Sequence, residues 1–257
     1  MTTEYSGSGD AKRSLDLLWG THERPTRGPR PKLTVEQIAQ AAIAIADVDG
    51  LAALSMRRVA ERLGVAPMSL YTYVPGKAEL IDVLLDRVAS EAPLLDQLPG
   101  DWRERVQTWA RAQLASFHRH PWVLHVATIH PPMGPHEIGW TDSAIRALSN
   151  LGLTDQEVVA TCGALDGYVR GAARALVDAA QVEQRTGISD EQWYASRAPL
   201  LEKLITQERF PSITRYHYSG VFDQPIDSFE FGLQRLLDGI AALIATRTAG
   251  DPPGELS

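Results

Sequence analysis

Apolar residues recur at helical spacing over most of the chain, and the alternation typical of a β-strand is absent. The first run begins at Thr34 and Gln37, which have capping-box spacing, and ends at Gly50. Three more helices are predicted after it, over residues 55–63, 67–73 and 77–90. These four helices predict a small N-terminal bundle whose last helix leads into the rest of the chain.

The same spacing continues through the longer second part of the chain. Helices are predicted over residues 101–119, 136–150, 154–184, 189–208 and 227–247, with a short one after Pro121. The sequence therefore predicts an all-α fold, in which an N-terminal three-helix domain with a helix-turn-helix is joined by a linking helix to a larger helical domain. The predicted boundaries are 33–90 for the first domain and 91–257 for the second.

Residues 1–32 precede the first helical run. Residues 1–14 are small and polar, which predicts disorder, and residues 15–19 form an apolar island that could dock on the domain as a helical turn. Residues 20–32 contain three prolines and two glycines, so they cannot form a helix or strand of useful length. We interpret them as an extended basic arm.

Residues 55–73 carry the most specific signal in the sequence. Ala60 is small enough for two short helices to cross closely, and Gly64 accepts the positive φ of a sharp turn. One face of the pair is apolar, with Val59, Leu63, Val65 and Leu70. The other side presents Ala66, Pro67, Met68, Ser69, Tyr71, Thr72 and Tyr73. Such a pair can place its second helix in the major groove of DNA; an ordinary helix hairpin within a core is the alternative.

Charge is distributed unevenly along the chain. The net charge is −7, but residues 24–77 contain eight basic and four acidic side chains, so this stretch is +4 and the remainder −11. A basic module on an acidic body is expected where one part of a protein contacts phosphates. Lys77, at the start of the fourth helix, adds a cation at the end of the helix-turn-helix.

The remaining composition narrows the class of protein. Cys162 is the only cysteine, so no intrachain disulfide is possible. The sequence shows no signal-peptide core and no run near the ~20 apolar residues of a membrane span. We expect a soluble, cytoplasmic protein without membrane contact. Motifs of nucleophilic, phosphate-binding and dinucleotide-binding enzymes are missing, so we expect no catalytic activity and no cofactor.

Two stretches, GLAALSMRRVAERLGV and SLYTYVPGKAELIDVLLD, resemble the DNA-binding domain of TetR-family transcriptional regulators. The likeness runs from Leu33 to Val88, about a quarter of the chain. It implies a dimer whose recognition helices enter successive major grooves. It also implies operator-contacting positions at Ser55, Arg57, Met68, Ser69, Tyr71, Thr72, Tyr73 and Lys77. Arg27 and Arg30 of the arm are further candidates, for phosphates or a minor groove.

The second domain resembles, more faintly, the tetracycline-repressor branch of the same family in the order and length of its helices. In that branch two late helices pair across the dimer, which here implies residues 154–184 and 227–247. Glycines recur every four residues on the first of these, and an apolar stripe follows the second. The glycines are Gly163, Gly167 and Gly171, and the stripe is Phe229, Leu233, Leu236, Leu237, Ile240, Leu243 and Ile244. These features favour a homodimer interface, with intrachain core as the alternative for the stripe.

Bulky or polar residues on the helices of the second domain are candidates for a ligand site. Such sites are usually aromatic-lined cavities with a few polar groups. The candidates are Trp109, Gln113, Phe117, Trp122, His125, Trp140, Cys162 and Asp166. As a set they favour an apolar or aromatic effector, with plain core packing as the alternative for each residue alone.

Five of the seven histidines lie between positions 118 and 136. His118 and His120 would not share a helix face, and carboxylate and cysteine partners are scarce nearby, so no metal site is predicted.

We therefore expect a ligand-responsive repressor that binds a palindromic operator on double-stranded DNA as a homodimer and is released by a small-molecule effector. The alternative is a DNA-binding regulator, an activator or architectural factor, without a small-molecule effector. A tightly filled second domain would favour the alternative, and an open cavity would favour the effector-gated repressor.

Overall fold

The computed structural model describes residues 6–21, 33–126, 131–221 and 226–250, and the regular structure within these ranges is helical. Short 3₁₀ turns lie at Leu51–Ala53, Leu95–Gln97 and Pro121–His125. The α-helices are α1 (Ala11–Leu18), α2 (Val35–Asp49), α3 (Met56–Leu63), α4 (Pro67–Leu70), α5 (Lys77–Ala89), α6 (Trp102–Arg119), α7 (Pro135–Leu148), α8 (Asp155–Thr186), α9 (Asp190–Ala195), α10 (Ala198–Leu204), α11 (Pro211–Tyr218) and α12 (Ser228–Gly250). The predicted all-α architecture is confirmed.

Polar caps determine where the long helices begin. Thr34 accepts a hydrogen bond from the Gln37 N–H at 3.1 Å, and the Gln37 side chain accepts one from the Thr34 N–H at 3.0 Å. This is the predicted capping box of α2, and α6 and α8 begin with the same arrangement. The boxes satisfy N–H groups that have no partner within the first helical turn.

The N-terminal bundle packs α2, α3 and α4 together, with α5 against α2. Ile38, Val59, Leu70 and Leu80 are fully buried in its core, and each such side chain stabilises the fold by roughly 1.5–3 kcal/mol. Because α5 also packs against α7, it belongs to both parts of the molecule, as expected of the linking helix.

The larger part is built on the long contact between α6 and α8, with α7 and α12 also packed on α8. Trp109 and Phe117 of α6, Val169 of α8 and Leu233 of α12 are buried there. The apolar stripe predicted on α12 packs on the core of its own chain. Its residues Phe229, Leu233, Leu237 and Ile240 are buried, and Leu236, Leu243 and Ile244 are partly buried against the same core.

A buried polar cluster joins the two parts. Asp47, near the end of α2, accepts a hydrogen bond from Trp122 Nε1 and shares another with His120 Nδ1, both at 2.7 Å. The other ring nitrogen of His120 lies 3.1 Å from a carboxylate oxygen of Glu91. His120 and Trp122 are both buried, so breaking these bonds would leave polar groups without water or partners. The cluster therefore holds the end of α6 against the end of α2.

The predicted disorder of residues 1–14 is wrong for residues 6–14. Residues 15–18 of the apolar island form the second half of α1, which begins earlier, at Ala11. Helix α1 packs along α5, and Leu17 contacts the hydrophobic core. The expected docking of this island is thereby confirmed. The basic arm falls almost wholly on residues 22–32, outside the described residues.

Two carboxylates of α5 hold this N-terminal segment in place. Asp82 accepts hydrogen bonds from the Gly7 N–H and the Ser14 hydroxyl, both at 2.9 Å. Glu79 accepts one from the Asp10 N–H at 3.1 Å. Burial raises the pKa of Asp82, although the two donors oppose that shift. Local sequence patterns could not predict that this N-terminal segment is ordered, because the carboxylates that accept its hydrogen bonds lie about 70 residues later in the chain.

The predicted helix over residues 189–208 is wrong in its extent. The structure has two short helices, α9 and α10, separated at Ser196 and Arg197. Pro199 lies in the first turn of α10, where its missing N–H has no cost. Within one continuous helix its ring would collide with the carbonyl one turn earlier. The sequence pattern also missed α11, which begins in the same way at Pro211.

Replacing Ser14 by Ala removes one of the two donors to Asp82, a carboxylate with no exposed surface. We expect the free energy of unfolding to fall by about 1–3 kcal/mol, because a buried acceptor loses a partner. Urea unfolding followed by circular dichroism measures this difference. Lys12→Ala, at an exposed position of α1, is the control and should change stability little. Equal effects of the two substitutions would contradict docking through Asp82.

Candidate nucleic-acid interface and ligand cavity

The turn between α3 and α4 has the backbone geometry that the sequence predicts. Gly64 ends α3 in the left-handed region, with φ 66° and ψ 31°, where a side chain would be strained. The Val65 N–H donates to the Ala60 carbonyl at 3.0 Å and closes the end of the helix. Ala60 is fully buried, as expected of the residue at the crossing. Pro67 then occupies the first turn of α4.

The outward side of α4 and of the turn after it is open to solvent. Met68 is 76% exposed and Tyr71 is 45% exposed. The other exposed members of this surface are Ala66, Pro67, Ser69 and Thr72. Tyr73 differs from the others, because it is half-buried and packs against the core. The exposed set offers hydroxyls and one thioether, which are groups that can contact base edges and thymine methyls.

Cations and a hydroxyl flank this surface. The Arg57 side chain is 82% exposed and pairs with Glu61 at 2.9 Å; exposed pairs of this kind contribute little, so a phosphate can take the place of Glu61. Lys77 is half-buried at the first position of α5. The Ser55 hydroxyl accepts a hydrogen bond from the Arg58 N–H as the cap of α3, and its own O–H can still donate. Arg27 and Arg30 lie outside the described residues.

A cavity of about 270 Å³ lies in the second part of the molecule, between α5, α6, α7 and α8. Five of the eight residues proposed for a ligand site line it: Trp109, Gln113, Phe117, Trp140 and Asp166. Leu85, Val88 and Ala89 of α5 form a further wall. A second hollow, beside α11, has only exposed lining residues and is an open surface.

Aromatic rings make up much of the cavity wall. Trp109 and Trp140 stack with their ring centroids 5.1 Å apart and their planes at 30°. The guanidinium of Arg170 lies over the Phe117 ring, 5.2 Å from its centroid. Trp109 and Phe117 are each 1% exposed. The indole N–H groups of Trp109 and Trp140 are buried and have no hydrogen-bond partner within the described residues.

Charged groups line the same cavity, and most of them were missed by the sequence analysis. Asp86, Glu137 and Arg170 contribute to the lining together with the predicted Asp166. Burial raises the pKa of Glu137, and the nearby carboxylates of Asp86 and Asp166 raise it further. The one local signal was the spacing of Asp166 and Arg170, which are four residues apart on α8.

Trp122, His125 and Cys162 do not lie among the described lining residues. Trp122 belongs to the polar cluster with Asp47. His125 is half-buried at the end of a 3₁₀ turn. Cys162 is buried on α8, and burial raises the pKa of its thiol, which disfavours the reactive thiolate.

No group of three or more His, Cys, Asp or Glu side chains among the described residues is placed to hold a metal ion. No described helix combines the length and apolar character needed to cross a membrane.

Both parts of the chain match family descriptions. Residues 38–84 match the bacterial regulatory proteins of the tetR family, and residues 93–244 match the tetracyclin repressor-like C-terminal domain. The first range contains the helix-turn-helix, and the second contains α6, α7 and α8 with the cavity residues they contribute.

Individual proteins are similar over nearly the whole chain. The HTH-type transcriptional repressor DrrR1 of Streptomyces coeruleorubidus is 44% identical over 98% of this chain and 93% of its own. Apo ActR from Streptomyces coelicolor has 26% identity and a TM-score of 0.68, over 87% of this chain and 100% of ActR. ActR in complex with actinorhodin has 28% identity and a TM-score of 0.69, over 82% of this chain and 96% of ActR.

The helix-turn-helix, the exposed outward side of α4 and the separate cavity agree with these likenesses, which extend well beyond the N-terminal domain. The chain therefore belongs to the tetR family of bacterial regulatory proteins, and it is a DNA-binding transcriptional regulator and not an enzyme.

Proposed function

We propose that this protein is a repressor that binds a palindromic operator as a homodimer and is released when a small molecule enters the cavity. One observation carries the proposal: α5 begins at Lys77, directly after the helix-turn-helix segment that ends at Tyr73, and its later turns form a wall of the cavity. A single rigid helix thus connects the two sites. In this proposal residues 33–90 bind DNA, and residues 91–257 bind the effector and the partner subunit.

DNA binding rests on the open side of α4. Met68, Ser69, Tyr71 and Thr72 are exposed without being needed for the core, so they are available to a major groove. Arg57 and Lys77 stand at the edges, where phosphates would lie. These contacts position the helix, and the groove-facing side chains read the bases.

Dimerisation is supported by the surface of α8. Gly163, Gly167 and Gly171 are exposed, and an added Cβ at each would meet nothing within 4 Å. A helix gives up roughly 1 kcal/mol for each glycine relative to alanine, so three in register suggest close approach by another backbone. Val159, which is 61% exposed one turn before Gly163 on the same helix, adds apolar area. A second copy of the chain is the partner that the proposal places on this face.

Release follows from the geometry of two half-sites. The recognition helices of a dimer must stay about 34 Å apart, one turn of DNA, to bind together. A ligand that enlarges the cavity pushes on Leu85, Val88 and Ala89 and displaces α5. The ligand must bind the displaced state more tightly than the DNA-bound state, because equal affinity shifts no equilibrium.

The open cavity favours this mechanism over a regulator without an effector. A filled second domain would have left no space between α5 and α7, whereas about 270 Å³ is open there. The similar protein ActR has been crystallised with actinorhodin and with (S)-DNPA, which supports ligand binding in a domain of this shape.

Replacing Met68 by Ala should change sequence preference. After selection of an operator from random duplexes, we expect this variant to lose ~1–3 kcal/mol on that operator and far less on random DNA, because a groove contact is removed and phosphate contacts are kept. Fluorescence anisotropy at fixed salt measures both affinities. Val48→Ala, at an 82% exposed position of α2, is the control. Equal losses on both DNAs would contradict base reading by Met68.

Effector and operator should each weaken the binding of the other by the same factor, since the coupling between two sites is reciprocal. Actinorhodin serves as the first probe. Its calorimetric affinity is measured for the protein alone, with operator, and with random DNA of equal length. We expect weaker binding only with operator, matched by weaker operator binding at saturating probe. Unchanged affinities of a bound probe would argue for a regulator without this coupling.

A further inference from the structure

The cavity has an excess of negative charge. Asp86, Glu137 and Asp166 line it, and Arg170 is the single cation among the described lining residues. Carboxylates are expensive to remove from water unless donors or cations surround them. How well each of the three is compensated therefore indicates what a ligand could supply.

Asp86 is fully provided with donors. One of its oxygens accepts hydrogen bonds from the backbone N–H groups of His136 and Glu137, each at 3.0 Å. The other shares a hydrogen bond with His136 Nδ1 at 2.8 Å. These contacts are made at the start of α7, where the helix dipole also favours a negative charge. Asp86 therefore has a structural role and leaves little for a ligand to satisfy.

Glu137 and Asp166 are poorly compensated by comparison. Glu137 accepts one hydrogen bond, from the Met133 N–H to Oε2 at 3.0 Å, and within the described residues its Oε1 accepts none. Asp166 lies 3.8 Å from Arg170, too far for a good hydrogen bond. Its side chain is 40% exposed, so water and not a protein donor compensates its charge. The raised pKa of Glu137 agrees with this shortage, since burial and the neighbouring carboxylates both disfavour its charged form.

The aromatic wall indicates the rest of the ligand. Trp140 is half-buried and lines the cavity, with the buried Trp109 ring stacked against it, so the Trp140 ring offers flat apolar surface to a ligand. Both indole N–H groups are fully covered and have no acceptor within the described residues, so the contact that this wall offers a ligand is with the ring and not with the N–H groups.

We infer that the cavity selects a flat aromatic cation with N–H donors, with Glu137 and Asp166 as its counter-ions and Trp140, backed by Trp109, as its stacking surface. A cation at this position relieves the repulsion among the carboxylates and adds charge-assisted hydrogen bonds to Glu137. Neutral rings of the same shape gain the stacking alone, and anionic ones meet the excess negative charge. This inference rests on the proposed function, because it names the class of effector that the cavity takes.

Three probes with one ring system test the charge preference. They are 9-aminoacridine, a cation at neutral pH, acridine, which is neutral, and acridine-9-carboxylate, an anion. Each is titrated calorimetrically into the full-length protein without DNA, since acridines also bind duplexes. We expect the cation to bind at least about tenfold more tightly than the other two, the effect of one charge-assisted contact.

Variants then locate the preference. Glu137→Gln should weaken binding of 9-aminoacridine about tenfold and leave acridine unchanged, because only the charge is removed. Glu183→Gln, at an exposed position near the end of α8, is the matched control and should bind all three probes like the original protein. Circular dichroism checks that each variant is folded. Asp166→Asn is the second variant and should show the same selective loss. It becomes the deciding test if Glu137→Gln does not fold.

Each contrary outcome overturns the inference. Equal binding of the three probes, tighter binding of the anion, or no binding of the cation removes the charge preference. A loss by Glu137→Gln that is equal for cation and neutral ring assigns Glu137 a structural role only. None of these results touches the proposed function, which is decided separately by the coupling between effector and operator.

Discussion

Buried carboxylates on one helix set the architecture of this regulator. Glu79, Asp82 and Asp86 lie three and four residues apart on α5, and each is at most 8% exposed. Carboxylates this far from water must find donors within the protein. Glu79 and Asp82 have found them in the N-terminal segment around α1, and Asp86 has found them in the first turn of α7. Helix α5 is therefore held by polar contacts as well as by its apolar face.

This anchoring limits how α5 can move. A shift that broke the bonds of Asp82 or Asp86 would leave a buried charge without donors, so α1 and the start of α7 must travel with α5. Trp19, next to α1, also donates its indole N–H to the Met133 carbonyl at 3.0 Å. Met133 directly follows Pro131 and Pro132, which line the cavity. The contacts favour a few discrete arrangements of whole segments over continuous bending, which is the behaviour that a switch requires.

Local signals in the sequence predicted most of the fold and the exposed outward side of the helix-turn-helix. Ser55, Gly64 and Pro67 act on residues within one turn, so their effect is readable from spacing alone. The cavity was only half predictable. Trp109 and Trp140 could be proposed from the sequence because they are bulky aromatic residues. Glu137 could not, because an acid in the first turn of a helix is common, and only the fold brings it close to Asp86. Trp122 was misplaced for the same reason, because its partner Asp47 lies 75 residues earlier.

The position of α5 at both sites has a consequence for how such proteins diversify. Three of the helices around the cavity, α6, α7 and α8, lie outside the helix-turn-helix, so in the proposed mechanism substitutions at Gln113 or Thr141 alter ligand choice while the operator is kept. Changes at Leu85 or Val88 fall on the helix that begins at Lys77 and alter both properties together. In such a mechanism, substitutions on α6, α7 and α8 can change which ligand is recognised while the target genes stay the same, whereas substitutions on α5 change ligand and DNA binding together.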